Sequence, residues 1–528
     1  MKKHFYHYIK TLLAPCLFFS AVVGVFSTLL ITIFKCAAEW VIHLSNTIYD
    51  GVRENPVWLP LLIVGVFLLG FAASMILRIS RTCRGGGIPT SVAVINGIAD
   101  FNWVRSIFWL PISTLLTFLC GVPLGTEGPC VQMGTAVGDG AIQLLGGKQH
   151  RGWRRYVMTG GASAGFSLAT GAPVTAILFS MEELHKRFSP LLLTIATSSV
   201  IFSQLTARLL VSLGIGSIGL FHFAPIDALP LKLFFIPFAV GLVCGVGSVL
   251  FTKLYHVIDH LMRLKLGKLS VKIKVPLIFV AVGLIGFFAS QIAGTGHALI
   301  ESLWETQTVW YLLLIVLLGR AVLMMVANTA GVTGGIFLPT LAIGAILGSL
   351  CADGFISIGL VGAEYRALFV MLGTTAFLGS TSRIPLTACV FAIEALGGIN
   401  NVLAIVLAIT AAYLIVEASG LEDFTDTVIE NKAHAIHAGK KPITVEVALT
   451  VRENSFVEGK TLRDILWPVS CVVISFERRP SNHEKTEVSE GDVITVRYKT
   501  YEPAVTAKEF DVLVGKQADS VIHVMQPE

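Results

Sequence analysis

The sequence predicts an all-α polytopic membrane protein carrying a small soluble α/β domain at its C-terminal end. Three observations carry this reading. Of 528 residues, 54% are hydrophobic and only 14% are charged, against roughly a quarter charged in soluble domains. Apolar runs long enough to cross a bilayer recur as far as about residue 420. Two patterned segments return in the same order some 210 positions later.

A transmembrane helix needs about 20 mainly apolar residues. Residues 12–34, 57–77, 234–251, 275–293 and 402–416 are clear examples. About ten to twelve spans are expected in all, several short or interrupted by glycine. The start, MKKHFYHYIK and then an apolar run, has the charge pattern of a signal peptide. Its apolar stretch is too long for one, so an uncleaved first helix is expected. The net charge of +5 gathers in connecting segments at 148–155, 185–187 and 263–274. The positive-inside rule makes these, and both chain termini, cytoplasmic. Nine cysteines without a Cys-x-x-Cys pair read as buried free thiols.

The repeat is specific. GTEGPCVQMGTAVG (125–138) aligns with GIFLPTLAIGAILG (335–348), so Gly125, Pro129, Gly134 and Gly138 pair with Gly335, Pro339, Gly344 and Gly348 at an offset of 210. APVTAILFSME (172–182) aligns with IPLTACVFAIE (384–394), pairing Pro173, Thr175, Phe179 and Glu182 with Pro385, Thr387, Phe391 and Glu394 at an offset of 212. The membrane part is a duplicated unit, with halves at about 55–215 and 230–420. Duplicated transporters place their site where the halves meet, on broken helices whose N-termini face an anion.

Three glycine-rich stretches end in proline: GGGIP (85–89), GTEGP (125–129) and GGIFLP (334–339). Each reads as a helix start, because proline suits the first turn and glycine permits close backbone approach. A helix start leaves four N–H groups unpaired at the positive end of the dipole. Inside a membrane those donors need partners, and an anion shared by several of them is one. A plain helix start or close helix crossing is the alternative for any one stretch; three together, two related by the repeat, favour an anion site. Glu127 lies in the second. An intramembrane carboxylate costs roughly 3 kcal/mol or more, which marks it as functional. At such a helix start it mimics an anion, and protonation would release the place it occupies.

These segments resemble the CLC family of chloride channels and proton-coupled chloride transporters, across about residues 55–420. The family pattern, Gly-Ser-Gly-Ile-Pro, Gly-Arg-Glu-Gly-Pro with a following Val-Gln, and Gly-x-Phe-x-Pro, stands here as GGGIP, GTEGPCVQ and GIFLP. The resemblance implies an inverted-repeat helical bundle, a homodimer, and one anion pathway per subunit. It makes Glu127 the gate and external proton acceptor. It places the main-chain amides of Ile336 and Phe337 at the central anion site and those around Thr126 to Gly128 at its outer part. In FSMEELHKRF (179–188) it gives Glu183 the internal proton transfer found in the family's exchangers. Glu182, matched by Glu394 in the repeat, reads as structural.

Three departures bear on the site. Gly86 replaces the pattern's serine, Thr126 replaces its arginine, and the family's tyrosine falls near Phe424 or Thr425. Lost hydroxyl donors to a charged partner are worth about 1.5–3 kcal/mol each, so weaker central binding and looser selectivity are expected. The fluoride-exporting branch also lacks the serine but normally carries a bulkier residue there.

After residue 420 the character changes. Residues 421–442 read as a helix end and linker, and 443–528 as short β-rich runs around polar turns. The stretches SFVEGKTLRDI (455–465) and SEGDVITVRY (489–498) resemble the C-terminal regulatory domain of potassium-transport subunits (RCK/TrkA type). That resemblance implies an assembly module or a sensor for a small ligand. EGKT is no P-loop, since Asn454 stands where the first glycine belongs. His434 and His437 have no further ligands nearby and read as linker histidines.

The expected function is therefore proton-coupled chloride antiport, with a passive voltage- or pH-gated anion channel of the same architecture as the alternative. No cofactor, metal or nucleic acid is expected. A potassium pore is disfavoured because no Thr-Val-Gly-Tyr-Gly-like filter is present. A membrane-bound enzyme is disfavoured because Glu127 has no nucleophile or metal cluster near it in sequence. The resemblance places the protein in a prokaryotic inner membrane.

Overall fold

The computed structural model describes residues 12–99, 101–147, 150–221, 223, 226–436, 442–468, 471–479, 487–516 and 522–525. Eight helices form the first half: α1 (Ala14–Glu54), α2 (Leu59–Ile79), α3 (Ile88–Ile95), α4 (Trp103–Leu119), α5 (Glu127–Leu145), α6 (Arg154–Thr170), α7 (Pro173–Phe179) and α8 (Pro190–Ser212). The second half repeats the order: α9 (Phe235–Leu266), α10 (Val271–Phe288), α11 (His297–Glu305), α12 (Trp310–Thr329), α13 (Phe337–Ser357), α14 (Arg366–Thr381), α15 (Pro385–Ala395) and α16 (Val402–Ala418). The correspondence thus begins at Ala14, further back than the motifs alone show. Helix α1 packs along α8 as α9 packs along α16, and α5 on α6 as α13 on α14.

Among the described residues, eight helical stretches are long and apolar enough to cross a membrane, with two shorter apolar helices, Trp103–Leu119 and Pro385–Ala395. Eight long and two shorter apolar helices make ten, and half-helices such as α3 and α7 are further short apolar pieces of the kind the expectation of ten to twelve spans included. Helix α1 has 41 residues, far beyond any signal segment and longer than a straight crossing requires. All nine cysteines are free thiols, five of them buried and Cys36 exposed.

Glycine sets the closest crossings. A side chain on Gly134 of α5 would run into the Gly161 carbonyl of α6, and one on Gly344 of α13 would stand 2.6 Å from the Gly373 carbonyl of α14. Backbones meeting directly is the small-xxx-small packing expected where lipid removes the hydrophobic drive for association. It explains why the repeat preserved these glycines.

The polar stretch after residue 420 is helical over α17 (Phe424–Ile436), which packs on α3. Beyond it, β1 (Ile443–Thr450), β2 (Val472–Glu477), β3 (Val493–Thr500) and β4 (Ile522–Met525) form an antiparallel sheet of order β2-β3-β1-β4, with α18 (Pro503–Val514) beside it. Its core includes Val445, Val447, Ile494, Val496, Tyr498 and Phe510. In the 455–461 turn, the Lys460 ammonium is turned inward onto the Phe456 carbonyl and lies 3.8 Å from the centre of that ring. His437 and the side chain of His434 lie outside the described residues.

The tail docks on the membrane part. Tyr156 donates to the Asp464 carbonyl and accepts from the Leu466 N–H at 2.9 Å. Arg187 donates to the carbonyls of Arg463 at 2.6 Å and Ile465 at 3.2 Å. Arg155 pairs with Glu509 at 2.7 Å. One arginine from each of two basic segments, Arg155 and Arg187, therefore binds the tail, and Arg263 of the third donates to Asn431 of α17 at 2.6 Å.

Candidate functional site: a buried carboxylate and two cavities

The two repeated glycine motifs meet at the centre. Gly125 and Gly335 exchange backbone hydrogen bonds of 2.7 and 2.8 Å as an antiparallel bridge, the arrangement a two-fold relation between halves produces. The helices α5 and α13 start immediately beyond it. Their prolines, Pro129 and Pro339, sit in the first turn, where a missing N–H costs nothing. A Cβ on Gly128 would lie 2.8 Å from Gly335 Cα and 2.9 Å from Gly87 Cα. Only glycine lets the three segments GGGIP, GTEGP and GGIFLP converge this closely.

Glu127 is the first residue of α5 and wholly buried. Its Oε1 accepts from the Thr126 hydroxyl at 3.3 Å, whereas its Oε2 is buried without a hydrogen-bond partner. A cavity of about 850 Å³ has Thr126, Lys35, Arg53, His297 and Arg320 in its wall. A second, small cavity of about 20 Å³ is lined by Ile88, Pro89, Ile336, Phe337, Phe424, Thr425 and Glu183. That volume suits about one water-sized particle. Glu127 lines neither space; its neighbour Thr126 borders the large one, and Ile336 and Phe337, across the Gly125–Gly335 bridge, border the small one.

The structure thus brings together Ile336, Phe337, Phe424, Thr425 and Glu183 on the small cavity and puts Thr126 on the large one. Gly128 is in the glycine contact with Gly335. Gly86 is set back: a Cβ there would stand 3.0 Å from both Gln132 Oε1 and Leu110 Cδ1, and Ile88 and Pro89 form that wall. Phe424 is buried edge-on against Phe251 and Tyr255 at 5.1 and 4.9 Å. Phe337 is packed edge-on against Phe166 and Phe391 at 5.1 and 5.7 Å.

Glu183 lies on a π-helical turn, Ser180–Leu184, that ends α7. Such bulges widen the helix and commonly mark functional positions. Glu183 is buried, its Oε2 lacks a partner, and it lines the small cavity together with Thr425. Beyond it, Lys186 bridges Asp423 at 2.9 Å and Asp426 at 2.5 Å. Three carboxylates and one ammonium therefore cluster where α7 meets α17. Glu182 points elsewhere: its carboxylate accepts from the N–H groups of Leu386 and Thr387 at 3.1 and 2.7 Å.

Several contributors were not legible in sequence. Gln132 fastens the GGGIP loop, accepting from Gly87 N at 2.8 Å and donating to the Thr82 carbonyl at 3.0 Å; the Val-Gln following GTEGP was its one sequence signal. Lys432 of α17 donates to the Gly85 carbonyl at 2.7 Å and contacts the Thr90 hydroxyl. Lys35 of α1 donates to the Leu168 carbonyl at 3.0 Å and lines the large cavity with Thr126. Nothing in the sequence ties position 35 to position 126. Among the described residues no group of three or more His, Cys, Asp or Glu side chains could hold a metal.

Comparison with known proteins agrees with this architecture. The H(+)/Cl(-) exchange transporter ClcA of Klebsiella pneumoniae is 27% identical over 430 residues, covering 80% of this chain and 89% of that protein. ClcA of Vibrio cholerae is 26% identical over 426 residues, covering 76% and 86%. A slow cyanobacterial Cl−/H+ antiporter superposes with a TM-score of 0.72 at 22% identity, over 79% of this chain and 98% of that one. A CLC-type fluoride/proton antiporter gives 0.64 at 21% identity, over 77% and 96%. These structures share the helical fold. Residues 68–417 match the model of the voltage gated chloride channel family, and the chain belongs to that family, the CLC family.

Proposed function

We propose that this protein exchanges chloride, or a similar inorganic anion, for protons across a prokaryotic inner membrane. The observation that carries the proposal is the pair of buried carboxylates. Glu127 lies at the start of α5, next to Thr126 on the large cavity, and Glu183 borders the small one, each with one oxygen unpartnered. Buried polar atoms normally find partners. Two that do not are suited to taking up and releasing protons.

The chemistry follows from charge. The starts of α5 and α13 offer unpaired N–H groups and positive dipole ends. The Glu127 carboxylate, at the start of α5, occupies that positive region when no anion does. Protonated, it loses the attraction and yields the place to an incoming anion, which the amides of Ile336 and Phe337 then hold. Glu183, beside Thr425 on the small cavity, passes the proton to or from the Lys186, Asp423 and Asp426 cluster on the inner side. Without hydroxyls from a serine or tyrosine, the anion relies on main-chain amides, which supports modest affinity. Lys35 supplies, from α1, the positive charge at the outer mouth that position 126 lacks. A homodimer and a regulatory tail of the RCK/TrkA type complete this reading.

The test uses purified protein in liposomes under an imposed chloride gradient, recording anion flux and internal pH together. Chloride-driven proton movement that disappears in Glu183→Gln, while anion flux continues, is expected. Anion flux with no proton movement in the wild type would make the protein a passive channel. No anion flux would refute the proposal.

A further inference from the structure

A cavity of about 650 Å³ lies at the junction of the tail and the membrane helices, away from both the large and the small cavity. This size is typical of sites for small organic molecules. One part of its wall is apolar, formed by Val94, Ile95, Ile142 and Met158 of the membrane part and by Val512 and Leu513 of α18. The other carries Arg151, Arg154 and Arg155 at the start of α6.

Two of these arginines are fixed in place. Arg154 is held at 2.6 Å by Asp139, whose side chain is wholly buried. Arg155 pairs with Glu509 across the junction at 2.7 Å and donates to the Leu466 carbonyl at 3.3 Å. Among the described residues Arg151 forms no ion pair, and it is exposed. Three guanidinium groups against two carboxylates leave a positive wall facing an apolar one. The first turn of α6 adds to it, having no acidic residue and no side-chain cap. Planar, multiply donating guanidinium groups match the oxygens of phosphate and carboxylate groups, and a phosphate brings the larger negative charge to a wall with several of them.

We propose that this junction cavity binds an organic phosphate, with its phosphate on the Arg151–Arg154 edge and its apolar body between Met158 and Val512. A free nucleotide and the phosphate of an anionic lipid share that chemistry. Because α18 forms one wall, the bound molecule bridges the tail to the membrane part. The same docked tail places Asp464 at the start of α8, where its Oδ1 accepts from the Ser189 hydroxyl at 2.7 Å. Ser189 follows Glu183 by six positions, so occupancy of the cavity is transmitted toward the inner proton site. That last consequence rests on the role proposed for Glu183; the binding itself does not.

The test is binding to the purified full-length protein, read without transport. Thermal shift and calorimetry are run in detergent with ATP, AMP and inorganic phosphate, and thermal shift again in vesicles with and without phosphatidylglycerol. Two variants are compared, Arg151→Gln and Val512→Trp, the second filling the apolar side; both are first checked for a wild-type gel-filtration profile and unliganded melting temperature. Saturable nucleotide binding weakened about tenfold or more in both variants supports the site with a soluble ligand. Stabilisation only by phosphatidylglycerol, reduced in both variants, supports it with a lipid. Binding of any probe that neither variant weakens, or no binding of any probe, overturns it. A protein that binds but moves no anion would refute the proposed transport and leave this site standing.

Discussion

Glu182 and Thr387 are joined by two hydrogen bonds of 2.7 Å, the carboxylate Oε2 accepting from both the N–H and the hydroxyl of the threonine. Their counterparts in the repeat do the same in reverse: Glu394 Oε2 accepts from the Thr175 N–H at 2.8 Å and from its hydroxyl at 2.7 Å. Each half thus caps the helix start of the other, α15 by Glu182 and α7 by Glu394. A carboxylate on unpaired N–H groups at a helix start is favoured by hydrogen bonding and dipole alike. Glu182→Ala is expected to destabilise the protein by about 1–3 kcal/mol and to leave proton coupling in the surviving molecules intact. Thermal unfolding in detergent, beside the liposome assay, checks both halves of this expectation. Coupling lost without destabilisation would place Glu182 on the proton route instead.

Glu127→Gln removes the charge and keeps the volume. Proton movement is expected to fall to background, and anion flux to lose its dependence on external pH. Glu127→Ala goes further, removing the side chain as well, and anion flux should rise above the Gln variant. Flux in both variants that still follows external pH would point to a second titrating gate.

Lys35→Met removes a cation from the wall of the large cavity while retaining an apolar stem of similar length. A charge acting through partly solvated protein is worth about 1 kcal/mol. The external anion concentration for half-maximal flux is therefore expected to rise about fivefold. Restoring the charge from the other side of the mouth, in Lys35→Met with Thr126→Arg, should recover most of the loss. A double variant no better than the single one would mean that Lys35 acts through its bond to the Leu168 carbonyl, not through its charge at the mouth.

Lys460 supplies a pH dependence in the tail. Burial, opposed by Asp464, pushes its ammonium down to about 8 from an ordinary 10.5. Below about 8 the folded and unfolded tail both carry the charge, and the cost of burying it is constant. Between about 8 and 10.5 the unfolded chain still binds a proton that the folded tail has released, so stability rises with pH. Above 10.5 the gain is complete. Hydrogen exchange of the β1 and β3 amides in the full-length protein, corrected for the intrinsic rate, should show opening free energies rising across that window. Lys460→Met should flatten the rise, whereas an unchanged slope would assign it to another group.

The sequence by itself determined a good deal. Apolar length forced helices across a bilayer, and the paired motifs at Gly125 and Gly335 and at Thr175 and Thr387 revealed the duplication. Glycine before proline marked the helix starts, because those residue types answer local backbone demands that any fold must meet. The charge of Glu127 in an apolar setting stood out for the same local reason. What only the tertiary structure decided are relations between residues far apart in the chain: Lys35 on the Leu168 carbonyl, Gln132 on Gly87, Lys186 between Asp423 and Asp426, and Asp464 at the start of α8. These pairs follow no period and no motif. Each is fixed by which helices cross, and the crossings are set by backbone contacts such as those at Gly134 and Gly344. The segment after residue 420 reads as a linker because its composition is polar, yet Phe424 and Thr425 are buried at the small cavity. Burial there comes from what α3 and α9 present to α17, which composition cannot encode.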